Sequence, residues 1–186
     1  MIDYTKIAKA GDILAVRGTG FLSKGILRLT GNTVSHVGLV ISDNPVVLVL
    51  EALNRVKTDT IEESLKDVEN AYLFRPLNVD ETDINTIIRA ASKASTNSYG
   101  WFSLGLQLAD ILFRTRLFTD HIYNDRHPIC SYLVAEAYGA AGLTFGKLLY
   151  QSITPADIFN FAKINSDKYQ CIPLALRGII IPPRIK

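Results

Sequence analysis

The stretch Ser35–Leu53, S-H-V-G-L-V-I-S-D-N-P-V-V-L-V-L-E-A-L, decides the fold. Two runs of β-branched and aliphatic residues flank Ser42-Asp43-Asn44-Pro45, a turn signal. Folded as a hairpin symmetric about Asp43 and Asn44, the stretch sets Ile41 against Val46 and His36 against Glu51. Directly opposite residues share a face of the sheet. The hairpin is therefore expected to bring an imidazole and a carboxylate into contact. A carboxylate inside V-V-L-V-L-E-A-L is costly to bury unless it is compensated. A hydrogen bond from His36 compensates it, fixes the tautomer and raises the basicity of the ring. The alternative is an exposed strand end with a solvated Glu51. Gly38 lies two residues after His36 on the same face, where a missing side chain leaves room for a ligand or for close packing.

Outward from the hairpin, Gly11–Val16 (G-D-I-L-A-V) reads as a first strand, Val56–Thr60 as an extension of the sheet and Ala71–Pro76 as another strand. Phe21–Leu29 has helical spacing closed by Gly31. Ile61–Asp67 reads as a short helix. Asp83–Ser95 is predicted to be an amphipathic helix with Ile84, Ile87, Ile88, Ala91 and Ala94 or Ser95 on one face and Thr82 as N-cap. Trp101–Phe113 reads as a second helix, Arg114–Asp125 as a polar loop and Pro128–Ala141 as a third helix with Gly142 just past its end. Thr154-Pro155-Ala156-Asp157 opens a short helical turn, Thr154 capping. Tyr169–Ile172 and Leu174–Ile181 are short β-like runs.

A nucleophile for His36 to activate has to come from another part of the chain. The chain has two cysteines, Cys130 and Cys171, too few for a disulfide scaffold. Pro128 at a first helical position places Cys130 in the first turn, where unpaired N–H groups and the helix dipole favour a thiolate and a developing oxyanion. Cysteine is also among the most buried residue types and often acts as a small hydrophobe. His121 and His127 are rival bases without a carboxylate orienter in a rigid element. A zinc site from His36, Glu51, His121, His127 and Cys130 matches no standard ligand spacing. Gly18-Thr19-Gly20 is too short for a nucleotide loop.

Length and composition set the frame. At 186 residues, 48% hydrophobic and 20% charged, the chain is expected to form one domain, 1–186, with a substantial core. The net charge of +2 is scattered, so no basic face argues for nucleic acid. No apolar run reaches the roughly 20 residues of a spanning helix. The opening M-I-D-Y-T-K-I-A-K-A-G-D lacks the apolar core of a signal peptide, and the expected location is the cytoplasm.

Several pieces in order resemble a known group. They are G-D-I-L-A-V-R-G (Gly11–Gly18), S-H-V-G-L-V (Ser35–Val40), E-A (Glu51–Ala52), F-R-P (Phe74–Pro76), Y-G-W (Tyr99–Trp101), C-S-Y-L-V-A-E-A-Y (Cys130–Tyr138) and T-P-A-D-I (Thr154–Ile158). Together they resemble the circularly permuted papain-like hydrolases of the NlpC superfamily, in particular the YiiX-like branch, in which the histidine strand precedes the cysteine helix. The resemblance implies an α+β fold, a papain-like antiparallel sheet packed against helices. It also implies a catalytic set of Cys130 as nucleophile, His36 as base and Glu51 as orienter, with no cofactor and no metal. Tyr99 would lie near the oxyanion position; Gly100 stands where the family motif carries an aspartate. The implied activity is amide hydrolysis of peptidoglycan peptides or N-acyl amino acids, or ester cleavage, by a thiol hydrolase.

Two alternatives stay open. One is acyl transfer of the lecithin:retinol acyltransferase type. Its lipid substrate would lie along Phe102, Leu104, Leu106, Leu108 and Phe113, with peripheral membrane contact, although core burial is the stronger reading of those residues. The other is a non-catalytic module that binds a peptide or lipid. The expected partners are thus a small peptide, an acyl-amino acid or a lipid, and no nucleic acid.

Overall fold

The computed structural model describes residues 2–20, 23–24, 27, 33–52, 56–94, 130–147, 150 and 153–174. Within them the fold is α+β. Six antiparallel strands form one sheet: β1 (Ile13–Gly18), β2 (His36–Ser42), β3 (Leu48–Ala52), β4 (Val56–Thr60), β5 (Val68–Pro76) and β6 (Tyr169–Leu174), in the order β4-β3-β2-β1-β5-β6. The described helices are α1 (Ile61–Ser64), α2 (Glu81–Ala94), α3 (Cys130–Ala140) and α4 (Pro155–Ile164). Tyr99, His121, His127, Pro128, the helix expected at Trp101–Phe113 and the loop expected at Arg114–Asp125 lie outside the described residues. So do most of Phe21–Leu29 and the tail beyond Leu174.

Strand alternation divides the core in two. Ile13, Ala15, Val37, Leu39, Leu50 and Phe74 face one side, where Ile87, Ala91, Leu133, Val134, Ile158 and Phe159 of the long helices cover them. Leu14, Val16, Val40, Val49, Ala71 and Leu73 face the other, covered by Ile61, Leu65 and the N-terminal Tyr4, Ile7 and Ala8. Strands buried on both faces read as continuous apolar runs. This explains why V-V-L-V-L shows no alternation.

Helix α3 is the central helix. Seven of its eleven residues, from Cys130 to Tyr138, are buried, as expected for a helix apolar around most of its circumference. It packs on β2 and β3 and between α2 and α4. Gly142, with φ of +76°, ends it in a Schellman motif. The Gly142 N–H donates to the Gly139 carbonyl at 2.9 Å, and the Leu143 N–H to that of Tyr138 at 3.0 Å.

Two expectations about helix starts are corrected or extended. Asp80, not Thr82, caps α2: its Oδ1 accepts from the Asp83 N–H at 2.8 Å, and Asp83 Oδ2 accepts from the Asp80 N–H at 3.2 Å. Aspartate competes well for the cap, and the reciprocal bond secures the earlier start. The Thr154 cap is present with Pro155 behind it. The helix it opens runs ten residues rather than one turn, because Ile158, Phe159 and Ala162 continue the apolar stripe. In the tail, Pro173 does not divide the strand; β6 is an edge strand, where a residue without an N–H is tolerated.

A buried ion pair ties the N-terminal segment to the sheet. Asp12 is fully buried. Its carboxylate accepts from Arg75 Nε at 2.9 Å and Arg75 Nη2 at 2.8 Å, and from the Lys9 N–H at 2.8 Å. The same Nη2 donates to the Ile7 carbonyl at 2.6 Å. Burial pushes the Asp12 carboxyl up, and the guanidinium opposes that push. Breaking such a pair strands a charge. Asp12→Ala is expected to lower the unfolding free energy by about 3 kcal/mol, the low end for a buried pair because Arg75 is partly exposed. Denaturant titration of the full chain checks this; a change under about 0.5 kcal/mol, the scale of an ordinary surface substitution, would contradict it.

Candidate active site

The hairpin places His36 and Glu51 together, but not in the expected register. Gly38, not His36, stands opposite Glu51, with Leu39 against Leu50 and Val40 against Val49, and the ladder shifts between Val40 and Ser42. The expected pairing of Ile41 with Val46 is absent. The loop is longer than the two residues expected. Pro45 can donate no ladder bond, and Val47 turns into the second core while its carbonyl accepts from the Ile61 N–H at 3.0 Å. The slip is two residues, so every side chain keeps its face. Glu51 reaches His36 diagonally instead of directly, a span open to long side chains.

Gly38 makes that diagonal passable. A Cβ built there would sit 2.8 Å from Val49 Cγ1 and 3.1 Å from Glu51 Cγ. Of the two uses open to this glycine, the described atoms support close packing. The absent side chain gives the Glu51 stem its path across the strand.

His36 Nε2 lies 3.1 Å from Glu51 Oε1. Both residues are buried, His36 at 9% and Glu51 at 3% exposure, so the solvated alternative for Glu51 does not hold. Ser64 Oγ donates to the other carboxylate oxygen, Oε2, at 3.0 Å. Nothing in the sequence reading pointed to Ser64. Its residue type carries no signal, and only the return of α1 beneath β3 brings it to Glu51.

Cys130 comes to the same place from α3. Its thiol lies close enough to His36 to interact with it electrostatically, and the backbones of Val37 and Ser131 lie nearby. With Nε2 given to Glu51, Nδ1 is the ring nitrogen that remains. The first turn is pinned by Ser131, whose buried hydroxyl donates to the Ile153 carbonyl at 2.6 Å. Cys130, His36 and Glu51 thus come together near the start of β2.

The electrostatics favour charge separation along this line. Burial alone opposes both ions, but it is outweighed. The Cys130 thiolate, then Glu51, hold the His36 pKa up to about 10. Burial pushes the Cys130 thiol up, while the imidazolium and the two N–H donors bring it to a net value below the ordinary 9.0. Cys171 is the opposite case: burial pushes its thiol up, with only Lys163 opposing. Both cysteines are free.

The sign of the pH dependence follows. Cys130 remains thiolate until pH falls through its depressed value, and His36 remains imidazolium until pH rises through about 10. The ion pair therefore spans the window between the lowered Cys130 value and about pH 10. Iodoacetamide is expected to label Cys130 at a rate that levels off below pH 9.0, whereas labelling of Cys171 keeps rising beyond pH 9.0. Peptide mapping by mass over a pH series checks this. Identical profiles for the two thiols would contradict it.

No protein-family model matches the chain, and no curated protein does. Among solved structures, the chain is similar to the metalloprotein yiiX from Escherichia coli O157:H7 (DUF1105). Identity is 21% and the TM-score 0.57, covering 75% of this chain and 69% of that one. At that identity the likeness speaks for the fold: a YiiX-like α+β arrangement of sheet and helices.

Proposed function

We propose that the protein is a cysteine hydrolase of the permuted papain-like type in the NlpC superfamily, acting on an amide or ester through an acyl-enzyme. One observation carries the reading: the Cys130 thiol lies beside an imidazole that Glu51 holds through Nε2 at 3.1 Å. The chain order, histidine strand, glutamate strand, then cysteine helix, and the likeness to yiiX support it.

The chemistry runs as follows. The Cys130 thiolate attacks the carbonyl carbon, and the carbonyl π electrons move to oxygen. As the tetrahedral species collapses, the bond to the leaving nitrogen or oxygen breaks. His36 gives its Nδ1 proton to that leaving group. Neutral His36 then takes a proton from water, the hydroxide attacks the thioester, and Cys130 leaves as thiolate. Glu51 keeps Nδ1 aimed at sulfur throughout and stabilises the imidazolium. Tyr99 retains the role beside the oxyanion that the family resemblance gives it.

A metal centre is the competing use of the same residue types, because the structural neighbour is called a metalloprotein. The donors here are spent on one another: Nε2 on Oε1, and Oε2 on Ser64. Among the described residues, no group of three His, Cys, Asp or Glu side chains is arranged to hold a metal. Chelator treatment is expected to leave Cys130 labelling unchanged. A loss restored by Zn²⁺ would reassign His36 and Glu51 as ligands.

Intact-mass analysis after incubation with panels of acyl esters and peptide amides tests the reaction. A covalent acyl adduct on Cys130 is expected, and its identity separates peptide from lipid substrates. Cys130→Ala is expected to form no adduct and to fold normally. Glu51→Gln is expected to slow adduct formation by about 10–100-fold. An unmodified Cys130 across the panel, or adducts that persist in Cys130→Ala, would sink the proposal.

A further inference from the structure

Glu51 is held from both ends, and only one end is explained by His36. Its Oε1 meets the imidazole, and its Oε2 accepts from the Ser64 hydroxyl at 3.0 Å. A carboxylate at 3% exposure has little solvent to satisfy its second oxygen. Ser64 supplies that bond from a rigid mount. Helix α1 is capped by Thr60, whose hydroxyl accepts from the Glu63 N–H at 3.3 Å. Ile61 is fully buried in the second core, and its N–H bonds the Val47 carbonyl at 3.0 Å. The Leu65 N–H returns to the Ile61 carbonyl at 3.0 Å, closing the turn that carries Ser64.

This matters because a glutamate has three side-chain torsions, and the last is broad. A single hydrogen bond to His36 fixes one oxygen but lets the carboxylate plane turn. Two bonds from different elements fix the plane. The strand β2 holds the ring, the strand β3 holds the carboxylate stem, and α1 holds the far oxygen.

Resting on the cysteine hydrolase reading, we infer that Ser64 is a positioning residue of the site, the fourth member of a Cys130–His36–Glu51–Ser64 line, acting on the thiol only through Glu51. It touches neither substrate nor sulfur. Its hydroxyl keeps Oε1 aimed at Nε2, and so keeps Nδ1 aimed at Cys130.

The test follows iodoacetamide labelling of Cys130 in the full chain over a pH series. Ser64→Ala is expected to slow labelling at neutral pH by about tenfold, the effect of losing one hydrogen bond to a charged group. The level region should also retreat toward higher pH. Ser64→Thr, which keeps the hydroxyl, is expected to recover most of the rate. In a Glu51→Gln background, adding Ser64→Ala should change nothing further, because the two residues act in series. Labelling of Cys171 is an internal control and should be unchanged throughout. Superimposable Cys130 profiles for the native chain and Ser64→Ala would overturn the role of Ser64 while leaving the hydrolase reading intact. A further rate loss on adding Ser64→Ala to Glu51→Gln would overturn it too, by revealing a general loosening. A native Cys130 that labels no faster than Cys171 would overturn the hydrolase reading, and this inference with it.

Discussion

A carboxylate buried inside an apolar strand has to be answered by hydrogen-bond donors, and the site is organised around that requirement. Glu51 lies in L-V-L-E-A with neighbours committed to the two cores. Unanswered, it would cost several kcal/mol or take up a proton. His36 and Ser64 answer one oxygen each. Because His36 is committed to Glu51 through Nε2, Nδ1 is the nitrogen that remains, and the Cys130 thiol lies near the ring. The polarity of the whole line, from thiol to carboxylate, thus follows from the burial of one side chain.

The scaffold around this line is built from pairs of distant segments that lock each other. Asp12, before β1, and Arg75, near the end of β5, form the forked ion pair that also holds the Ile7 carbonyl. Ser131, next to the nucleophile candidate, bonds the carbonyl just ahead of the Thr154 cap. His36 and Glu51 join neighbouring strands. The short motifs G-D, F-R-P, S-H-V-G, E-A, C-S and T-P-A-D, each unremarkable alone, therefore meet two by two in space. Only the histidine–glutamate couple bears directly on the chemistry; the others tie the N-terminal segment to β5 and the first turn of α3 to the start of α4.

Much of the fold was legible because its signals are local. The strands near Ile13, His36, Leu48, Val56 and Ala71 follow from β-branched runs between turn residues. The helix from Glu81 follows from the spacing of Ile84, Ile87 and Ala91. The end of α3 at Gly142 and the start of α4 at Thr154 follow from cap chemistry that acts within a few residues. The hairpin register was not legible. Whether Val47 joins the strand or enters the second core depends on Ile61, a partner from another element. The cap at Asp80 was not legible for a more ordinary reason: two capping residue types, two positions apart, competed, and the reciprocal bond with Asp83 decided.

The sequence by itself determined which faces the site residues occupy. Strand alternation has a period of two, and the actual slip was two, so His36 and Glu51 kept the common side that the expected register gave them. The sequence left the burial of Glu51 open, because a run apolar on both faces does not tell a solvated strand end from a buried one; the fold decided for burial. Only the tertiary structure decided that the contact is diagonal, that Gly38 clears its path, that Nε2 rather than Nδ1 meets the carboxylate, and that Ser64 closes the far end. Each of these depends on where a second or third element comes to rest, and no local periodicity encodes a distance between elements.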